Sequence, residues 1–226
     1  MLQIVLAMTA FVGMHFLLSS RPLRDPLVAR LGEGPFRGLY SSIAAASLIW
    51  VIVAYNHAPA GGLWTPPAWL APLPAMIMPL AVLLLVGALT QPNPTLAGME
   101  KRAALRATGV LAITRHPMLW AIAIWALLHM IANPDVASRI LFGGLVILSL
   151  GGTLAIDARK RRQRPAEWAP FVAASSNLPF AALLSGRARL RFADLGWWRL
   201  ALAAVLYAAL LALHPILFGA PAVPVG

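Results

Sequence analysis

With 226 residues, 60% of them hydrophobic and 11% charged, the chain is too apolar for a water-soluble globule and reads as a polytopic membrane protein. Its formal net charge of +11 excludes little by itself, but the basic residues fall in the short segments between apolar runs, a pattern of membrane topology and not of nucleic-acid binding. Cysteine is absent, which excludes disulfides, thiolate metal ligands, iron–sulfur clusters and a cysteine nucleophile.

Met1 to Ser19 is apolar apart from Gln3 and His15, and its first positive charges, Arg21 and Arg24, follow the run. A cleaved signal peptide carries its charge before the apolar stretch, so this order predicts a retained first span over 2–19 with its N-terminus outside. Arg21 to Arg37 is short, basic and partly amphipathic, which suits an interfacial connector. A second span is expected over 38–55 and a third over 69–89. In the third, Pro72, Pro74 and Pro79 each remove a backbone donor and predict a broken first turn or kinks. Gln91 to Arg115 is a basic loop holding Asn93-Pro94, Lys101, Arg102 and Arg106.

The fourth span, 117–133, follows Ile113-Thr114-Arg115-His116-Pro117 directly. Proline is tolerated in a first helical turn because its missing N–H would have had no helical partner, so Pro117 marks a start. Arg115 and His116 then stand at the mouth of an apolar helix, and His129 lies about 20 Å further along its axis. Ionisable groups in or beside a span are costly and are functional candidates by default. Asn133-Pro134-Asp135 predicts a tight turn into a fifth span, 136–156, on which Gly143-Gly144 and Gly151-Gly152 present small residues for close packing of a neighbour. Asp157 to Leu195 is polar, with Asp157 expected to pair with Arg159 and a half-apolar piece over 168–180. The sixth span is 197–218.

The expectation is therefore an all-α polytopic bundle of about six transmembrane helices in one integral membrane domain, 1–226, each span near the ~20 residues a bilayer core requires. Seventeen of the 18 Lys and Arg flank one side of this scheme and only Arg139 the other, which predicts cytoplasmic loops one, three and five and both termini outside. Trp64 and Trp69 then mark the outer interface, and Trp197-Trp198 the inner one. By depth the histidines fall into two sets: His15 with His116, or His57 with His129 and His214. Axial ligands of one iron must share a depth.

Gly38-Leu39-Tyr40-Ser41, Asn93-Pro94-Thr95-Leu96, Ile113-Thr114-Arg115-His116-Pro117, Leu128-His129, Ala132-Asn133 and Phe142-Gly143-Gly144 resemble the NnrU family of bacterial membrane proteins. That family is associated with denitrification and nitric oxide metabolism and is similar to the plant zeta-carotene isomerase, a haem b protein of plastid membranes in which switchable histidine ligation gates a cis-trans isomerisation. The resemblance implies haem b as cofactor, with His15 and His129 as the metal ligands, His116 and Arg115 as further cofactor-binding residues, and a haem-dependent isomerase acting on a hydrophobic substrate such as a carotenoid. It also implies residence in the inner, cytoplasmic membrane. Arg115 would hold a haem propionate or a substrate carboxylate. Where the isomerase has a cysteine three residues before the second histidine, this chain has Ala126, so a thiolate ligand has no counterpart here.

A second resemblance competes with the first. Arg-His-Pro at a helix start with a later Glu167-Trp168 and Phe171 is similar to membrane methyltransferases of the isoprenylcysteine carboxyl methyltransferase type, which implies S-adenosylmethionine near the cytoplasmic face. A non-catalytic membrane assembly factor is the third reading.

Overall fold

The computed structural model describes residues 1–59, 61–62, 67–70, 72–96, 99, 106–220 and 222; Trp64, Lys101 and Arg102 lie outside them. Among the described residues the regular structure is helical, with no strand. The helices are α1 Leu2–Ser19, α2 Arg21–Leu31, α3 Glu33–Asn56, α4 Leu73–Thr90, α5 Val110–Ile113, α6 Pro117–Ala132, α7 Val136–Gln163, α8 Pro165–Ala173, α9 Ala181–Leu184, α10 Phe192–Leu195 and α11 Trp197–Phe218, with a 3-10 turn at Ala68–Leu70.

Helices α1, α3, α4, α7 and α11 are long and apolar enough to cross a membrane, so the chain is an all-α, multi-pass membrane bundle. The sixth expected span, α6, has only 16 residues. At 1.5 Å per residue that is about 24 Å, short of the ~30 Å hydrocarbon core. Pro117 fixes one of its ends and Asn133-Pro134 the other. It nevertheless carries the chain from one end of the bundle to the other, because Leu119 lies by Gly152 of α7 and Met130 by Gly143, the order of an antiparallel neighbour. At the end opposite the basic residues, Gly62 of the α3–α4 loop bridges Asp135 of the α6–α7 turn.

Two element limits differ from the sequence reading by five residues or more. The second span begins at Glu33 and not at 38, because Gly32, at φ 86°, closes α2 and restarts the chain directly as α3. The fifth runs to Gln163, seven residues beyond 156, with Asp157 and Lys160 both buried. The connector is a helix, α2, with none of its residues buried; Arg24 donates to both carboxylate oxygens of Glu33 at 2.8 Å and stacks over Phe36. Trp69 and Trp197 are exposed, as interfacial tryptophans would be.

Helix contacts run in the order α3, α1, α7, α6, α4, α11. On α1, Ile4, Ala7, Met8 and Phe11 recur at helical spacing and pack on Val51 and Ala54 of α3 and Ala137 of α7. The glycines of α7 do allow close approach, but to two neighbours and not one: Gly144 and Gly151 face Met8 and Phe16 of α1, while Gly143 and Gly152 face α6. At the far edge α11 leans on α4, where Tyr207 Oη donates to Ala75 O at 2.6 Å and Arg199 donates to Thr90 O at 3.1 Å.

Candidate functional site

Pro117 cannot extend a helix backwards, and the residue before a proline is steered away from helical geometry. The chain from Thr114 to His116 is therefore extended and has spare backbone groups, which a second segment satisfies. Arg115 N donates to Ser176 O at 2.9 Å, Phe180 N to Ile113 O at 2.8 Å, and the Thr114 hydroxyl to Asn177 O at 2.6 Å. The Asn177 side chain accepts from Trp120 Nε1 at 3.1 Å and donates to Thr153 Oγ1 at 2.8 Å, which ties α6 to α7. From the third side, Asn93 is fully buried and its Oδ1 accepts from Thr95 N at 3.0 Å, while the Thr95 hydroxyl reaches Arg115 O at 3.1 Å. The Asn93–Leu96 and Ile113–Pro117 stretches, distant in sequence, thus form one polar knot.

At its centre are Arg115, His116 and Asp157. Arg115 Nε donates to both Asp157 oxygens at 3.0 Å, Arg115 Nη2 also donates to Oδ2, and His116 Nε2 donates to Oδ1 at 2.8 Å. Asp157 is therefore not the partner of Arg159 that the sequence suggested; side chains two apart on a helix do not face each other, whereas Asp157 points inward at residues 42 and 41 positions earlier. His116 is fully buried and its Nδ1 has no hydrogen-bond partner. Burial pushes its pKa below the ordinary histidine value, against the opposing pull of Asp157. The ring is accordingly neutral, with Nε2–H committed to the carboxylate and a lone pair on Nδ1. The guanidinium that the sequence offered to a propionate or a substrate carboxylate is bound by Asp157. Glu167, the acidic residue of the methyltransferase-like pattern, pairs instead with Arg164 at the surface, and Trp168 and Phe171 are buried against Leu111.

The remaining histidines lie elsewhere. His15 packs on Phe11 and Tyr40, and its Nδ1 donates to Phe11 O at 2.6 Å. His57 is exposed and makes the same bond to Val53 O. His129 Nδ1 donates to Trp125 O at 2.8 Å, and its ring lies 4.8 Å from Trp125, 5.1 Å from Phe142 and 6.4 Å from His214. The outer set expected from depth is thus partly assembled, by His129 with His214.

His15 and His129 are not brought together. His15 adjoins Phe16, which abuts Gly151, and His129 adjoins Met130, which abuts Gly143, so α7 stands between them and separates their levels. Eight residues of α7 amount to about 12 Å along its axis. That pair does not fit one iron in this structure; His129 is instead a half-buried imidazole flanked by the rings of Trp125 and Phe142. Sequence reasoning also missed Asp157 as part of the site; the signal available was an acidic residue ending an apolar run.

The family model for NnrU protein matches residues 3–222. No curated protein and no solved structure matches the chain significantly.

Proposed function

The chain belongs to the NnrU family, whose model it matches over residues 3–222, and from that premise we propose that it is a haem b-binding protein of the bacterial inner membrane. Its role in this reading lies in nitric oxide or denitrification metabolism, or in redox-gated cis-trans isomerisation of an apolar polyene such as a carotenoid.

The observation that carries the reading is the state of His129. A carbonyl can only accept, so the bond to Trp125 O places the proton on Nδ1 and leaves Nε2 with a bare lone pair. A backbone carbonyl holding the far nitrogen is how proteins fix the tautomer of a metal-binding imidazole. Trp125 and Phe142 restrict the ring from α6 and α7, and the absence of cysteine leaves imidazole as the strong ligand type in the chain. Bound haem would supply a redox-active iron whose axial position can open to a small molecule or a double bond. The Arg115–His116–Asp157 knot serves this site at a distance, by anchoring the start of the helix that carries His129.

The test is an optical spectrum of detergent-purified protein expressed with ample haem supply. A Soret band, lost or altered in His129→Ala, is expected. A folded, colourless wild-type protein overturns the proposal.

A further inference from the structure

We infer that His214, near the end of α11, is the second ligand of the His129 site, so that the two imidazoles would hold one iron from opposite sides between α6 and α11. The inference rests on the haem reading above and names the partner that His15 does not provide.

Both rings are half-buried, and both spend Nδ1 on a backbone carbonyl: His129 on Trp125 O at 2.8 Å and His214 on Ala220 O at 2.7 Å. The second bond depends on Gly219, which takes φ 70° and ends α11 so that the chain folds back over the helix end. Glycine enters that left-handed region without the penalty a side chain would incur. Each histidine is thereby fixed as the tautomer with a free Nε2.

The ring centroids are 6.4 Å apart, with 31° between the planes. For a metal–nitrogen distance of 2.0–2.1 Å and a ring centre roughly 1.2 Å further out, two imidazoles on opposite sides of one ion stand about 6.4–6.6 Å apart; a tetrahedral ion would draw them to roughly 5.2–5.4 Å. The observed separation matches the opposed arrangement in distance and exceeds the tetrahedral one. A tetrahedral protein site also needs three or four side-chain ligands, and no group of three His, Cys, Asp or Glu able to hold a metal occurs among the described residues. A pair of imidazoles is the ligand set of a metal whose other positions are filled by a planar macrocycle. The flanking groups are rings as well: Trp125 and Phe142 beside His129, and Phe218 at 4.8 Å from His214.

The experiment compares wild type, His214→Ala, His15→Ala and His214→Met as purified full-length proteins, reading absorption and the reduction potential. Wild type is expected to show the low-spin spectrum of bis-histidine haem. His214→Ala should keep haem but turn high-spin, and added imidazole should restore the low-spin bands. His15→Ala should be indistinguishable from wild type. His214→Met retains an apolar, ligating side chain if the alanine variant does not fold, and should raise the potential, as methionine ligation does. A His214→Ala protein that binds haem with the wild-type spectrum, or a His214→Met protein with the wild-type potential, overturns the assignment of His214 and leaves the haem reading standing. Wild type without haem overturns both.

Discussion

Removing the Asp157 carboxylate would leave the Arg115 guanidinium buried with no counter-charge and His116 Nε2–H with no acceptor. Breaking a buried pair from one side costs about 3–5 kcal/mol, because the surviving charge stays desolvated. Asp157→Ala should therefore lower the melting temperature of the purified protein sharply. Arg115→Lys should lower it less, since lysine keeps the charge but cannot reproduce the two-pronged contact. A melting temperature unchanged in Asp157→Ala would remove the knot from the account of stability. At this scale the sequence was informative about which residues were unusual and silent about how they meet. Arg115 and His116 stand out because a proline-started apolar helix follows them. Asp157 does not, since its nearest basic neighbour in sequence is Arg159 and nothing local reveals that its side chain turns away from that residue. The pairing of His129 with His214 was legible only as a shared depth, because depth is set by position along a helix whereas proximity depends on which helices are neighbours.

Among the helices, α7 makes the most specific demands. A Cβ added at Gly151 would lie 2.6 Å from Phe16 Cζ, and the ring cannot yield as the tip of a flexible chain would; at Gly143 the nearest atom is Met130 Sδ at 3.8 Å, an ordinary contact. Gly151→Ala gains helix propensity but forces overpacking, which costs about 1–3 kcal/mol. Gly143→Ala should be neutral or stabilising. Thermal melts of the two variants should fall on opposite sides of one another, and equal melts would mean that α1 does not seat on Gly151. The helices themselves were largely legible: α6 starts at Pro117, α7 follows the Asn133-Pro134-Asp135 turn, and α11 spans 197–218. Their faces were not, because α1, α4 and α6 are apolar all round and lack the polar stripe that would show which side turns inward. The extension of α7 to Gln163 was hidden for a related reason: a run of charges reads as a loop until one sees that Asp157 and Lys160 are covered.

For the molecule as a whole, the segregation of 17 of 18 basic residues to alternate connecting segments of the six-span scheme predicts both termini outside and those segments in the cytoplasm. Reporter fusions after Gly226 and within 159–189 should report opposite compartments; the same compartment at both would overturn this orientation. The short α6 is consistent with it, since the chain must change ends there for Asp135 to meet Gly62. The seating of α1 on α7 has a consequence in time. Phe16 leaves the ribosome 135 residues before Gly151, which at a synthesis rate of about 5–20 residues per second is about 7–27 s. For that interval the face of α1 that meets Gly144 and Gly151 is without its partner. The order of translation thus makes α7 the piece that joins the α1–α3 pair to α6 and α4, and a chain stalled before it would leave the glycine-facing side of α1 uncovered.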